Sequence, residues 1–395
     1  MTFHFKLSVY CFFILIISVP NLYGQYSLNK SYDNLEIRGN ITSMFKGRIY
    51  PGDSDFTNQK LDKNLFRLKD ARIRFKGSSN KKQFSYELQL DFANMMSNDV
   101  PEVPVLDANV TLRTFADITM GYQKLPFSRE SLIPIIYTPW LKRSMIVDEG
   151  QARRDVGIHL EKNFLNDRIN FYTSLVNGMP ALTKTNDDSL GFEFVSRVDF
   201  SYPTKMKFRA LDLANSKIPV FSLGLNYRNS NKSQNYDADD EGIWTGIDGK
   251  KKSYIIDFAT FYRGFSFLLE THRINYNYNR NTIFNVVDST YVDTSPFYHP
   301  SSNGSTRTDG FLSQVSYYSE RFKSALSIRY DLANINQGSL EFKNGKKEES
   351  IGVAYNYFFN SHLSIFKLQI IRTKFNYESR PNMIELRAGL QYIIG

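Results

Sequence analysis

From Phe84 to Phe92 the chain reads Phe-Ser-Tyr-Glu-Leu-Gln-Leu-Asp-Phe, apolar at every even position and polar at every odd one. Only a repeat of two residues sorts those groups onto opposite faces, so the segment predicts a half-buried β-strand. Ala71 to Lys76 repeats the pattern with Arg72, Arg74 and Lys76 on the polar phase. Leu106 to Arg113 does so with Asp107, Asn109, Thr111 and Arg113, and Ile384 to Ile394 with Glu385, Arg387 and Gln391. About 16 such segments recur, an even number of the kind that closes a single-chain bacterial barrel. They lie at 35–45, 65–76, 82–93, 105–114, 117–123, 155–164, 167–177, 191–202, 218–228, 252–262, 264–274, 308–319, 322–332, 349–358, 363–373 and 383–394. Each holds about 7–12 residues, close to what a tilted strand needs to cross a bilayer.

The connections alternate in length. Phe115-Ala116, Leu165-Asn166, Arg263-Gly264, Glu320-Arg321 and Phe359 to His362 are short, whereas 46–64, 124–154, 229–251, 275–307 and 333–348 are long. Outer-membrane barrels have brief periplasmic turns and longer external loops, and a soluble sandwich has no reason to alternate in this way. The stretch 203–217 breaks the rule, being long where a short turn is due. The pattern predicts an all-β protein: one transmembrane antiparallel β-barrel.

The N-terminus supports that compartment. Lys6 is followed by an apolar run from Leu7 to Val19, then Pro20 and a short polar stretch to Gly24-Gln25. That order predicts a secretory signal peptide over 1–24 and a barrel over 25–395. The run is too short for a membrane-spanning helix, which needs about 20 apolar residues. Cleavage removes Cys11, the single cysteine, and so excludes disulfides, thiolate catalysis and cysteine metal sites from the mature chain.

Composition sharpens the picture in two respects. Phe 32 and Tyr 25 make the chain 15% aromatic while mean hydropathy stays at −0.39, as strands with one apolar and one polar face require. The net charge of +9 is spread without a basic tail or stripe, which argues against nucleic acid as a partner.

Alternation assigns chemistry to the two faces. Phe84, Tyr86, Leu88, Leu90, Ile73, Phe75, Phe265, Phe267, Leu269, Leu326, Ile328, Leu386 and Leu390 take the lipid phase, with Tyr202, Tyr227, Tyr330, Tyr355 and Tyr392 suited to interfacial girdles. The opposite phase carries charges of both signs: Arg38, Asp70, Arg72, Arg74, Lys76, Glu87, Asp91, Arg113, His159, Glu161, Glu193, Arg197, Asp199, Lys323, Arg329 and Asp331. Charges in a narrow low-dielectric pore decide which ions enter, although with both signs interspersed most are expected to pair across strands.

The connection 124–154 stands apart. It bears Lys124, Arg129, Lys142, Arg143, Arg153 and Arg154, with Glu130, Asp148 and Glu149 as counterweights, and it contains the apolar run Leu132-Ile133-Pro134-Ile135-Ile136-Tyr137. About 30 residues with such a run are costly to leave in water, so folding inward to a constriction is the expectation. The candidate pore-lining, solute-contacting residues are therefore Arg72, Arg74, Arg113, Lys124, Arg129, Lys142, Arg143, Arg153, Arg154, Lys323 and Arg329.

Four stretches carry a resemblance. Gly121-Tyr122-Gln123-Lys124-Leu125-Pro126-Phe127-Ser128-Arg129-Glu130, Arg153-Arg154-Asp155-Val156-Gly157, Asn177-Gly178 and Asp70-Ala71-Arg72-Ile73-Arg74-Phe75-Lys76-Gly77 resemble motifs of the phosphate-selective porin O and P family. The resemblance spans most of the mature chain. It implies a 16-stranded, trimeric barrel in the outer membrane of a Gram-negative bacterium, with its third external loop folded inward. It also implies a diffusion channel for small hydrophilic solutes, in which basic residues guide anions such as phosphate. Lys124, Arg129, Arg72 and Arg74 fall in the matching motif regions. The C-terminus Tyr392-Ile393-Ile394-Gly395 departs from the terminal aromatic usual in such barrels.

Other chemistries find little footing. The five His are widely spaced without a His-Glu-x-x-His pattern, and no Gly-x-Ser-x-Gly elbow occurs. Gly246 to Lys250 lacks the spacing of a phosphate loop, and the acidic run Asp237 to Glu241 reads as a solvated loop tip more readily than as a calcium site. No cofactor, metal or catalytic residue is expected. An outer-membrane enzyme or a secreted β-rich binding protein is the alternative reading.

Overall fold

The computed structural model describes residues 33–51, 64–79, 83–93, 104–148, 154–178, 192–232, 249–278, 305–337, 345–360, 363–376 and 381–394. The expected signal peptide, Arg153, Glu149, His299, His362 and the acidic run at 237–241 lie outside these residues.

Among the described residues sixteen strands form one closed barrel. They are β1 (Asp33–Ile49), β2 (Asn64–Ser79), β3 (Phe84–Asp91), β4 (Val105–Arg113), β5 (Asp117–Lys124), β6 (Arg154–Phe164), β7 (Ile169–Val176) and β8 (Glu193–Tyr202). The second half holds β9 (Val220–Lys232), β10 (Gly249–Tyr262), β11 (Phe265–Tyr278), β12 (Ser305–Ser319), β13 (Ser324–Gln337), β14 (Lys346–Asn360), β15 (Ser364–Phe375) and β16 (Met383–Ile394). Each pairs antiparallel with its sequence neighbours, and β1 closes on β16 from Gly39↔Ile394 to Ile49↔Ile384. Every segment expected from alternation is a strand.

Several strands run further than expected at the long-connection end, so 229–251 shrinks to 233–248. The hydrogen-bond ladder continues there after the apolar alternation has stopped, because backbone pairing needs no apolar face. Outward residues such as Phe84, Phe265, Leu326, Ile328 and Leu390 are exposed around the whole wall, an apolar surface suited to hydrocarbon rather than to water.

The inner face differs between the two halves. In β15 the inward residues Ile365, Lys367, Gln369, Ile371 and Thr373 are all buried, whereas the inward residues of β2 beyond Asp70 are mostly half-buried. The inside of the wall is covered chiefly from β8 to β16, and the open space lies chiefly against β1 to β7.

β2 also breaks strict alternation. Asp70 pairs with Thr42 but Leu68 pairs with Ser43, so Lys69 is an extra, bulged residue. The bulge turns Arg67 to the same face as Asp70, Arg72, Arg74 and Lys76, while Phe66 faces outward against Phe45 at 5.1 Å.

The irregular stretch after β8 is a real feature. It turns back into the barrel, burying Met206, Ala210 and Leu211. The Asp212 carboxylate holds it there by accepting from Ser216 N at 2.9 Å and Gly264 N at 3.0 Å.

Candidate functional site: a half-filled lumen

The covering is the connection between β5 and β6. Leu125 and Phe127 open it by packing on Val176, Val195 and Ile255. Ser128, at φ 70°, turns the chain and caps the short helix α1 (Arg129–Leu132) by accepting from Ser131 N at 3.1 Å. Ile133 then enters a cluster with Met206, Ala259, Leu268 and Leu312, which joins the segment to the inturned stretch after β8.

Arg129 fixes the segment to the wall. Its guanidinium meets Asp257 at 2.7 Å and Asp199 at 3.3 Å, and Arg197 reaches the same two carboxylates, with Asp257 at 2.7 Å. Phe208 lies against both arginines, at 5.2 and 5.4 Å from ring centroid to guanidinium carbon. All four charged groups are buried, and two cations balance two anions.

Further along, Trp140 donates to Gln314 at 2.8 Å and stacks against Arg329 at 4.4 Å, while Arg329 donates to the Lys142 carbonyl at 3.1 Å. Lys367 donates to the Thr138 carbonyl at 2.8 Å. The short helix α2 (Met145–Asp148) packs Ile146 on Ala333 and Ile335. Glycines mark the footprint: the space a side chain at Gly310, Gly352 or Gly389 would take is occupied by Ile146, Trp140 or Leu141.

Glu130 sits inside this packing. It accepts from Ser144 N at 2.8 Å and lies 3.7 Å from Arg329, yet burial outweighs those contacts and raises its pKa above the ordinary carboxylate range.

The segment also crosses the lumen. At one end Lys124 on β5 donates to the carbonyls of Ser131 and Leu132, both at 3.3 Å. At the other, Gln391 on β16 donates to the Ile136 carbonyl at 3.1 Å. Residues 131–136 thus form a chord from β5 to β16. The space between the chord and β1 to β7 is a cavity of about 1080 Å³, bordered lower down by Lys205 to Phe208.

Its lining is strongly basic: sixteen Lys and Arg against six Asp and Glu. β2 alone supplies Arg67, Lys69, Arg72, Arg74 and Lys76. At about 3.4 Å per residue these span roughly 30 Å of the channel. Lys46, Arg48 and Arg387 gather around Glu385. The model of the family described as phosphate-selective porin O and P matches residues 45–394 of this sequence.

The chain belongs to that family. It is an outer-membrane channel protein. Solved structures agree on the fold. The outer membrane channel DcaP of Acinetobacter baumannii superposes with a TM-score of 0.57 at 12% identity, covering 93% of this porin and 100% of DcaP. OmpT of Vibrio cholerae, in its trimer form, gives a TM-score of 0.56 at 8% identity over 91% of this porin and 99% of OmpT. No curated protein sequence matches.

The sequence-predicted residues of the porin divide into three groups. Arg72, Arg74, Arg113, Lys124, Lys142, Arg143 and Arg154 line the cavity. Of these, Arg72 is paired with Asp70 and Asp91, Arg74 with Glu87, and Arg154 with Asp107 at 3.0 Å, while Arg143 donates to the loop carbonyl of Ile133 at 2.8 Å. Arg329 faces inward from β13 but lies beneath the loop, and Arg129 points from the loop to the wall; both serve as anchors rather than as lining. Lys323 is outside the lumen altogether: it sits at φ 47° in the tight turn between β12 and β13, where strand alternation no longer applies.

Sequence reasoning missed Lys46, Arg48, Arg67, Lys69, Lys205, Lys207 and Arg387 as lining residues of one basic surface. Arg387 was on the polar phase of its strand. Arg67 was hidden by the bulge, and Lys205 and Lys207 by the irregular stretch. Among the described residues Arg67, Arg113, Lys142 and Lys207 make no ion pair.

Proposed function

We propose that this porin is a passive conduit that favours anions. The observation that carries the reading is the sixteen-to-six excess of cations in the cavity lining. Field lines concentrate between low-dielectric walls, so a surplus of this size attracts anions and repels cations along the whole channel. The acids read from the sequence as diluting this effect are divided by the loop: Glu193, Asp199 and Asp331 are buried beneath it or within the covered half, and the basic half is left open. Phosphate is one solute of the right charge, and the family description names it.

The conduit is not an enzyme on this reading. Its two described histidines bond to Ser174 and Glu270 on opposite halves of the barrel, and the family is one of channels. Secretion through a signal peptide over 1–24 and assembly as a homotrimer in outer-membrane lipid complete the proposal. The trimer form of Vibrio cholerae OmpT supports the latter.

The deciding experiment is the zero-current potential in planar bilayers under a potassium chloride gradient. Anion sign is expected in the wild type. The triple variant R67Q/R113Q/K142Q, which removes unpaired lining cations, should lower the chloride-to-potassium permeability ratio by about twofold or more. A cation-selective wild type, or an unchanged ratio in the triple variant, rules the reading out.

A further inference from the structure

The chord that faces the basic wall has the wrong chemistry for a channel that carries only small, fully hydrated anions. Along it the side chains alternate. Ser131, Ile133 and Ile135 are buried, while Leu132, Pro134 and Ile136 are half-buried and line the cavity. Of the buried set Ile133 joins the inner core, while Ile135 also borders the cavity. Leu132, Pro134 and Ile136 belong to none of the buried clusters, so the core does not require them to be apolar. A contiguous apolar strip turned to a polar lumen marks a surface for contact with an apolar group.

Register sets the level of this apolar step. Gln391, which holds the Ile136 carbonyl, pairs with Thr42, and Thr42 pairs with Asp70, the partner of Arg72 at 2.6 Å. At the other end, Lys124 holds the Leu132 carbonyl and pairs in register with Arg154. The step therefore lies level with the densest part of the basic wall, on the other side of the same cavity. One wall offers guanidinium groups, and the wall opposite offers a strip of aliphatic surface.

We propose that this porin preferentially admits organic anions with an apolar body, the charged group following Arg72 and Arg74 while a ring or branched hydrocarbon frame slides along Leu132, Pro134 and Ile136. The proposal rests on the anion-selective reading and narrows its solute class. An inorganic anion would use the basic wall alone, whereas a benzoate-like solute engages both walls at once.

The test compares acetate, butyrate and benzoate as blockers of chloride current through the full-length porin in planar bilayers at neutral pH. All three carry one carboxylate, so differences in half-blocking concentration report the body. Shielding one ring face, roughly 60 Å² of apolar surface, gives about a tenfold lower half-blocking concentration for benzoate than for acetate. Butyrate should fall between them. In L132S/I136S the benzoate advantage should shrink to about twofold or less, whereas K323Q, altered in the turn away from the lumen, should keep the wild-type series. Equal half-blocking concentrations for the three acids in the wild type would overturn the proposal, as would a tenfold advantage persisting in L132S/I136S. If the double variant fails to assemble, the wild-type series and the milder I136T decide. An anion-selective wild type that treats the three acids alike refutes only this proposal; a wild type without anion preference refutes the reading beneath it.

Discussion

The buried cluster of Arg129, Arg197, Asp199 and Asp257 makes a prediction whose size follows from counting its charges. Consider R129M, D257N and the double variant. In the wild type four attractions and two repulsions act among the groups, a balance equal to two net attractive pairs. Removing Arg129 deletes two attractions and one repulsion, leaving one net pair and an uncompensated negative charge. Removing the Asp257 charge has the same effect with the opposite sign. The double variant keeps only Arg197 with Asp199, which is again one net pair and now neutral. A pair separated by about 4 Å at an effective dielectric near 20 is worth about 4 kcal/mol, in the range measured when a buried pair is broken. Each single variant should therefore lose about 3–5 kcal/mol, and the double should lose no more than either. The assay is guanidinium unfolding of the detergent-solubilised porin, followed by far-ultraviolet circular dichroism, with single-channel noise as a second readout of loop release. If the two single-variant losses sum to that of the double within about 0.5 kcal/mol, the four groups are not one electrostatic unit and the reasoning fails.

Three further predictions concern the covering segment. Glu130 has its pKa raised by burial, so its contribution to stability is fully present at acid pH and is lost as pH rises through the folded-state value. Acidification from neutral pH should raise the melting temperature more in the wild type than in E130Q, and identical slopes would contradict the buried-carboxylate account. Trp140 is buried, so in a W244F background its fluorescence should be barely quenched by iodide, and W140A should destabilise the porin by about 3–5 kcal/mol in denaturant titration; strong quenching would place the loop elsewhere. G310L inserts a side chain where Ile146 sits and should cost about 1–3 kcal/mol while increasing current noise, an effect that G47L, away from the loop, should lack if the loop footprint is responsible.

The wall was legible because its code has a period of two and repeats sixteen times: segments such as 84–92 and 384–394 could be read directly as strands with one face in lipid. The length of each connection added topology. What could not be read was which half of the inner face would be covered. Alternation places Arg74 and Arg329 on the same side of the wall, yet one meets the channel and the other lies under Trp140, and only the route of residues 125–148 decides between them. Lys323 and Arg67 show the limit of the code from two directions. A tight turn ended the alternation before Lys323, and one extra residue at Lys69 reversed its phase for Arg67. The glycines at 310, 352 and 389 were a visible but unread signal, since small residues on the inward phase of a strand mark close approach by another segment.

The chord makes this porin two kinds of protein in one molecule. Its wall is held by backbone ladders that persist whatever fills the inside, whereas the filling is a small globular core held by side chains. An emptied barrel would still be a barrel, with an aperture widened by the volume of residues 125–148 and stripped of the sorting of charge described above. To the cell such a state is a leak in the permeability barrier of its outer membrane. The buried ion cluster at Arg129 thus serves a purpose beyond the passage of any solute: it keeps a large hole from being wide open.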